Sequence, residues 1–267
     1  MKTSRHGLAS ALAVALGALL APAPAPAADF CPAFPPATGD VVVASTVAEL
    51  RAAVDAAVPG RTILVADGTY ALDGHYLRLD VPNVTLRGQS GQRDAVVLDG
   101  NYVTTEIVQV VASDVTVADL TLREAWDHPI HVMPAETAAT LRTMIYNVRV
   151  VDPGQQAIKI NPLSDTGPYA DQGTIACSRI ELTDAGRPHV RDNCYTGGVD
   201  AHAAVGWTIR DNVIEGFWCD AGLSEHAIHF WRNARDTRVE RNVLRNNPRG
   251  IGFGLAPTDA TQGEAYR

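Results

Sequence analysis

The chain has 267 residues, 46% hydrophobic and 19% charged, with 22 Lys+Arg against 30 Asp+Glu for a formal net charge of -8. This is a globular composition, neither disordered nor collagen-like, and long enough for one large domain or two small ones, with ample core in either case. The acidic balance excludes a general electrostatic attraction to nucleic acid, so no nucleic-acid partner is expected.

Lys2, Arg5 and His6 precede an apolar run from Leu8 to Leu20, which leads into Ala25-Pro26-Ala27. Residues 1–27 therefore read as a signal peptide. The run is shorter than the roughly 20 apolar residues a span requires, and no later segment approaches that length, so no membrane span is expected. Loss of Lys2 and Arg5 takes the formal charge from -8 to -10, and the product is expected to be secreted or periplasmic. Residues 28–45 read as an N-terminal extension.

From Thr46 to Val58 the sequence TVAELRAAVDAAV places Val47, Leu50, Val54 and Val58 at helical spacing, with Glu49 three residues after an N-cap Thr46. That predicts a short amphipathic helix, stopped by Pro59-Gly60. Strands and turns follow. The β-rich runs are Thr62–Val65, Val84–Leu86, Val96–Leu98, Ile107–Val111, Val115–Leu122, Ile145–Val151, Ile175–Leu182, Trp207–Ile214 and Arg238–Leu244. Turn positions Gly88, Asp119, Asn147, Arg179, Asn212 and Asn242 recur at steps of 28 to 33 residues. Asn147, Asn212 and Asn242 suit a structural ladder that satisfies backbone groups at coil turns.

A second row repeats downstream: Pro129-Ile130-His131-Val132, Ala157-Ile158-Lys159-Ile160, Gly198-Val199-Asp200-Ala201, Ala227-Ile228-His229-Phe230 and Gly250-Ile251-Gly252-Phe253. In each, a small residue, an inward aliphatic, a variable residue and a second inward residue alternate with period two. A parallel β-helix, stacking like on like, produces that pattern at one coil's length; an ordinary antiparallel sandwich does not. The expected architecture is all-β: a parallel β-helix over residues 46–255 that opens with the short helix. Residues 256–267 form a polar tail without a convincing cap, so the chain is either truncated there or capped by oligomerisation, and the oligomeric state stays open.

The helix and the following Val58-Pro59-Gly60-Arg61-Thr62-Ile63-Leu64-Val65-Ala66-Asp67-Gly68-Thr69-Tyr70 are similar to the capping helix and first coil of right-handed β-helix proteins of the broad pectate-lyase-like superfamily. Chondroitinase- and alginate-lyase-like enzymes begin in this manner. The resemblance implies a right-handed parallel β-helix with the short helix as its N-terminal cap, and an extracellular acidic polysaccharide as the ligand class.

If the aliphatics point inward, the variable positions form a column about 4.8 Å apart on the opposite face. Its members are His131, Lys159, Asp200, His229 and Gly252, and a parallel column comprises Met133, Asn161, His202, Trp231 and Gly254. Trp231 suits ring stacking, and His131, Asn161 and Asp200 suit sugar hydroxyls. Lys159 becomes the sole lysine once the leader is removed, and unlike arginine it can serve as a base when desolvated. β-Elimination also needs a proton donor, for which His202 and His229 are candidates, and a carboxylate partner, for which Arg232 and Arg249 are candidates. The resemblance makes Ca²⁺ a candidate cofactor, with Asp200, Asn161 and Glu225 a loose match to the usual oxygen ligands.

Three other readings compete. Glu225, His226, His229, Asp200 and His202 could form a transition-metal site, but regular strand alternation sets His226 and His229 on opposite faces. A glycoside hydrolase would draw on Asp200, Asp220 and Glu225, yet the paired-Asp, His-Gly and Arg-Ile-Lys motifs of polygalacturonase-like hydrolases are not reproduced. The third is a noncatalytic glycan-binding surface or envelope protein using the same groove. Four cysteines in an oxidising compartment permit two disulfides in three pairings. Cys177–Cys194 is the favoured bridge, closing a short Gly/Pro-rich loop for about 3 kcal/mol.

Overall fold

A computed structural model describes residues 31–164 and 166–254; the expected signal peptide (1–27) and the expected tail (256–267) fall outside the described residues. The chain is a right-handed parallel β-helix. Three sheets, every neighbouring pair of strands parallel, run the length of the solenoid. The first sheet begins with Val41–Ala44 beside Thr62–Val65, so parallel pairing starts ahead of the helix.

The helix spans Val47–Asp55 and ends earlier than the periodicity predicts. Leu50, Ala53 and Val54 face the core, while Val58 lies beyond the last turn and is exposed. The Thr46 side chain accepts from the Glu49 N–H at 3.1 Å, and the Glu49 carboxylate reaches back to the Ser45 N–H at 2.8 Å. Both bonds satisfy donors at or before the first turn. Its apolar face lies against the strands at 41–44, 62–65 and 77–79, closing that end of the core.

Each longer β run predicted from sequence is two strands separated by a sharp corner. Thr116–Ala118 and Thr121–Arg123 flank Asp119; Met144–Tyr146 and Arg149–Val151 flank Asn147. Asp119, Asn147, Cys177, Asp211 and Arg241 occupy this corner in successive coils, all with φ between 49° and 58°. The asparagines consequently divide between two rows. Asn147 sits in the left-handed corner, whereas Asn212 and Asn242 come one position later and form the ladder proper. The Asn212 side-chain amide donates to the Ile175 carbonyl at 2.9 Å and to Asn242 Oδ1 at 3.0 Å, and Asn242 in turn donates to Ile209 O at 2.8 Å.

The third sheet carries the column. Its strands are Leu77–Leu79, Glu106–Val110, His128–Val132, Gln156–Ile160, Gly197–His202, Ile228–Trp231 and Ile251–Phe253. Val108, Ile130, Ile158, Val199 and Ile228 stack in register and are fully buried in the core. Dry, stacked aliphatics of this kind stabilise by roughly 1.5–3 kcal/mol per side chain. Gly198 explains the small residue of the motif: a Cβ there would fall 2.4 Å from the Ala227 carbonyl oxygen.

The coils differ in length. Lys159 and its partner Asp200 in the next coil are separated by 41 residues, against 28 between the paired positions His131 and Lys159. The excess is a loop containing a short 3₁₀ turn at Arg187–His189 and Cys194.

The expected Cys177–Cys194 bridge is not formed. Cys31 pairs with Cys177, Cα atoms 5.5 Å apart, and Cys194 pairs with Cys219, Cα atoms 5.9 Å apart. The chain after Cys31 lies against the outside of the first sheet, where Tyr146 donates to the Pro32 carbonyl at 2.5 Å and Phe34 packs on the Tyr146 ring. That packing presents Cys31 to the Cys177 corner. Closure entropy rises only slowly with loop length, so proximity in the fold outweighs proximity in sequence.

Candidate active site

The predicted column forms in full register. His131 pairs with Lys159, Lys159 with Asp200, Asp200 with His229 and His229 with Gly252, while His202 pairs with Trp231 in the adjacent row. These side chains lie on the face opposite the aliphatics, yet Lys159, Asp200 and His229 are buried. Neighbouring side chains cover them, and Tyr195 comes from the inserted loop.

Lys159 Nζ is the hub. It pairs with Asp200 Oδ2, donates to Tyr195 Oη at 3.1 Å and lies 3.1 Å from His202 Nε2. An ammonium has three hydrogens, and these three partners match them. His202 Nε2 is also 3.1 Å from Asp200 Oδ2, so it either accepts from Lys159 or donates to Asp200. The second oxygen, Asp200 Oδ1, accepts from Trp231 Nε1 at 2.9 Å. The His202 ring stands edge-on to Trp231, centroids 4.3 Å apart, and the His229 ring stacks parallel to Trp231 at 5.2 Å.

The charges follow from these contacts. Burial opposes ionisation of Asp200, but the His202 and His229 rings and the Lys159 ammonium outweigh it and hold the carboxyl well below its usual range. Burial pushes His202 down; Asp200 pulls it back in part, while Lys159 and Arg232 push the same way as burial. A neutral His202 accepting at Nε2 satisfies all three ammonium hydrogens. Lys159 is thereby an ion-pair partner for Asp200, and the groups around its nitrogen that reach solvent are Tyr195 and His202, both partly exposed.

The remaining candidates distribute along this face. His131 pairs with Glu106, which also accepts from Gln109 Nε2 at 2.8 Å, and Arg78 bonds Gln109 one coil earlier. Asn161 follows the Lys159 strand, its backbone N–H bonded to Val132 O at 3.0 Å and its side-chain Oδ1 buried without a partner. Arg232 is exposed, its guanidinium 5.1 Å from the Trp231 ring centre. Arg249 stands apart from the Lys159 hub, 3.9 Å from Glu225 Oε2.

Nothing in the repeat pattern singles out Tyr195. It belongs to no repeat, and its placement depends on the inserted loop, which the Cys194–Cys219 bridge anchors at the adjacent residue. The opposition of His226 and His229 also fails: the regular strand begins only at Ile228, Ala227 lies at a bend, and the two rings are 4.4 Å apart. Among the described residues, Glu225, His226 and His229 form a group able to share an ion. Asp200, by contrast, already has both oxygens engaged, so the loose Asp200, Asn161 and Glu225 set offers Ca²⁺ no ready cage.

No protein-family model matches this sequence. No curated protein matches it either. Among solved structures, the chain is similar to the pectate lyase Pel9A, at TM-score 0.49 and 12% identity over 70% of this chain and 48% of that one. An alginate lyase of the PL6 family gives TM-score 0.46 and 14% identity, covering 86% and 40% of the two chains. A pectin methylesterase from Erwinia chrysanthemi gives 0.43 and 14%, covering 78% and 66%. This chain therefore spans less than half the length of the first two. The likeness is one of architecture. Among the described residues no helix is long and apolar enough to cross a membrane.

Proposed function

We propose that the third sheet binds an acidic polysaccharide across Trp231, Arg232 and His131 and cleaves it by β-elimination, with Tyr195 and His202 moving the protons. The observation that carries this reading is the placement of two part-exposed, proton-exchanging groups either side of one buried ammonium, each 3.1 Å from Lys159 Nζ. A uronic acid needs its α proton removed, its leaving oxygen protonated and its carboxylate neutralised. Exposed Arg232 suits the carboxylate through a two-pronged contact, and Trp231 offers an apolar edge to a sugar ring. Lys159 then acts by orienting Tyr195 and His202 and by lending its charge to the site; as the cation of a buried pair it has no lone pair with which to take a proton.

Incubation with alginate, pectate and glycosaminoglycans tests this. Unsaturated, ultraviolet-absorbing ends are the expected product; new reducing ends without unsaturation would assign a hydrolase. Burial of the hub favours a second reading, glycan adhesion without turnover, in which the Lys159–Asp200 pair is a rigid support for the exposed binding row. Retention on immobilised polysaccharide with no new chain ends would select it.

A further inference from the structure

We propose that Glu225, His226 and His229 form a transition-metal site of the zinc type, one coil beyond the Lys159 hub. One ligand atom from each lies within 4.8 Å of the others. Glu225 Oε2 is 3.5 Å from His229 Nδ1 and 3.9 Å from His226 Nδ1. Zinc held at 2.0–2.1 Å by tetrahedral ligands sets them about 3.4 Å apart, so the Glu225–His229 pair already fits and His226 must draw in.

Two features mark this as a built site. Glu225 Oε2, His226 Nδ1 and His229 Nδ1 are each buried without a hydrogen-bond partner. A buried polar atom left in that condition costs about 1–3 kcal/mol, and here three converge. His229, moreover, is 2% exposed, and its other nitrogen, Nε2, is 3.0 Å from the Gly254 carbonyl oxygen. A proton on Nε2 leaves the Nδ1 lone pair facing Glu225 and His226, the arrangement by which metal-binding histidines are commonly oriented. Gly252 makes room for the third ligand: a Cβ there would fall 2.6 Å from His226 Nε2.

Two imidazoles and one carboxylate favour a borderline ion such as Zn²⁺ over Ca²⁺, which prefers an all-oxygen shell. Three protein ligands leave one position for water or a substrate oxygen. Asp200 Oδ1, 3.5 Å from His229 Nδ1, is the competing partner: a proton on Nδ1 points toward it, and a bound ion takes that proton's place. The inference is independent of the lyase reading, because metal uptake is read without any substrate.

The test uses the full chain, stripped with chelator and titrated with Zn²⁺ alone by calorimetry, with elemental analysis of the desalted product. Among the described residues no cysteine is free to capture the ion. One equivalent of zinc per chain is expected. Glu225→Gln, which keeps the side-chain shape, and His229→Ala should each weaken binding at least about 100-fold, the upper end of what losing an outer partner alone costs. Circular dichroism identifies any variant that has not folded, and Glu225→Gln then carries the comparison. Failure of folded wild-type protein to take up zinc would overturn the site, as would equal affinity in wild type and Glu225→Gln.

Discussion

Asp200→Asn is the sharpest test of the charge arrangement at the hub. The side chains of Lys159 and Asp200 are 6% and 2% exposed, so the substitution leaves an ammonium in the protein with no counter-charge. Removing one member of a buried pair costs about 3–5 kcal/mol, since the survivor keeps its desolvation penalty and loses its partner. For a domain of this size each kcal/mol lowers Tm by roughly 2–4 °C, so the expected drop is about 6–20 °C. Lys159→Met/Asp200→Leu removes both charges together and should recover most of that loss, leaving about 1–3 kcal/mol for the unpaired Trp231 Nε1. Urea unfolding of wild type, Lys159→Met, Asp200→Leu and the double, all in chelator, closes the thermodynamic cycle, with Asp200→Asn measured beside it. Additive single costs, or an Asp200→Asn variant within 1 kcal/mol of wild type, would show that the pair is not coupled through charge. Lys159→Ala alone cannot separate chemistry from folding for the same reason.

On the proposed lyase reading, Tyr195→Phe and His202→Gln should each reduce turnover by about 10²–10⁴ while leaving the melting temperature within a few degrees, measured by release of unsaturated ends. The Cys31–Cys177 bridge spans 146 residues and Cys194–Cys219 spans 25. The chain-entropy relation assigns them roughly 5 and 3.5 kcal/mol, so serine replacement of the first pair should lower the urea midpoint further than replacement of the second. His128 is buried, and burial first, then His131 and Lys159, push its pKa from 6.5 down to about 3. Because the folded value is depressed, its contribution is full above pH 6.5 and is lost as pH falls toward 3. Wild type should lose stability faster than His128→Gln between pH 7 and pH 4.5, read as the shift in urea midpoint; parallel slopes would refute the assignment.

The fold was legible because its strongest signal is repeated. Ile130, Ile158, Val199, Ile228 and Ile251 each follow a small residue, and period two fixes which side of the sheet each occupies. The corner was less legible. Aspartate, asparagine, cysteine and arginine all serve there, so residue type does not report the positive φ, and the asparagine rows shifted by one. The disulfides were illegible for a related reason: the segment at Cys31 lies outside the repeat, and where it docks depends on Tyr146 and Phe34 rather than on cysteine spacing.

For the site, legibility stops where the repeat is interrupted. Register alone brings Lys159, Asp200, His202, His229 and Trp231 together, since residues tens of positions apart in sequence become neighbours across one sheet. Register does not say which of them meets solvent. That is decided by departures from the coil: the excess residues between Ile158 and Val199 bring Tyr195 over Lys159, and the bend at Ala227 turns His226 toward His229. A solenoid coil of standard length has every backbone group committed to its neighbours and every inward side chain committed to the core. An inserted loop carries neither commitment, so it is free to place a hydroxyl or an imidazole against the column. The irregular coil, which weakens the repeat as a sequence signal, is therefore where this chain gathers its chemistry.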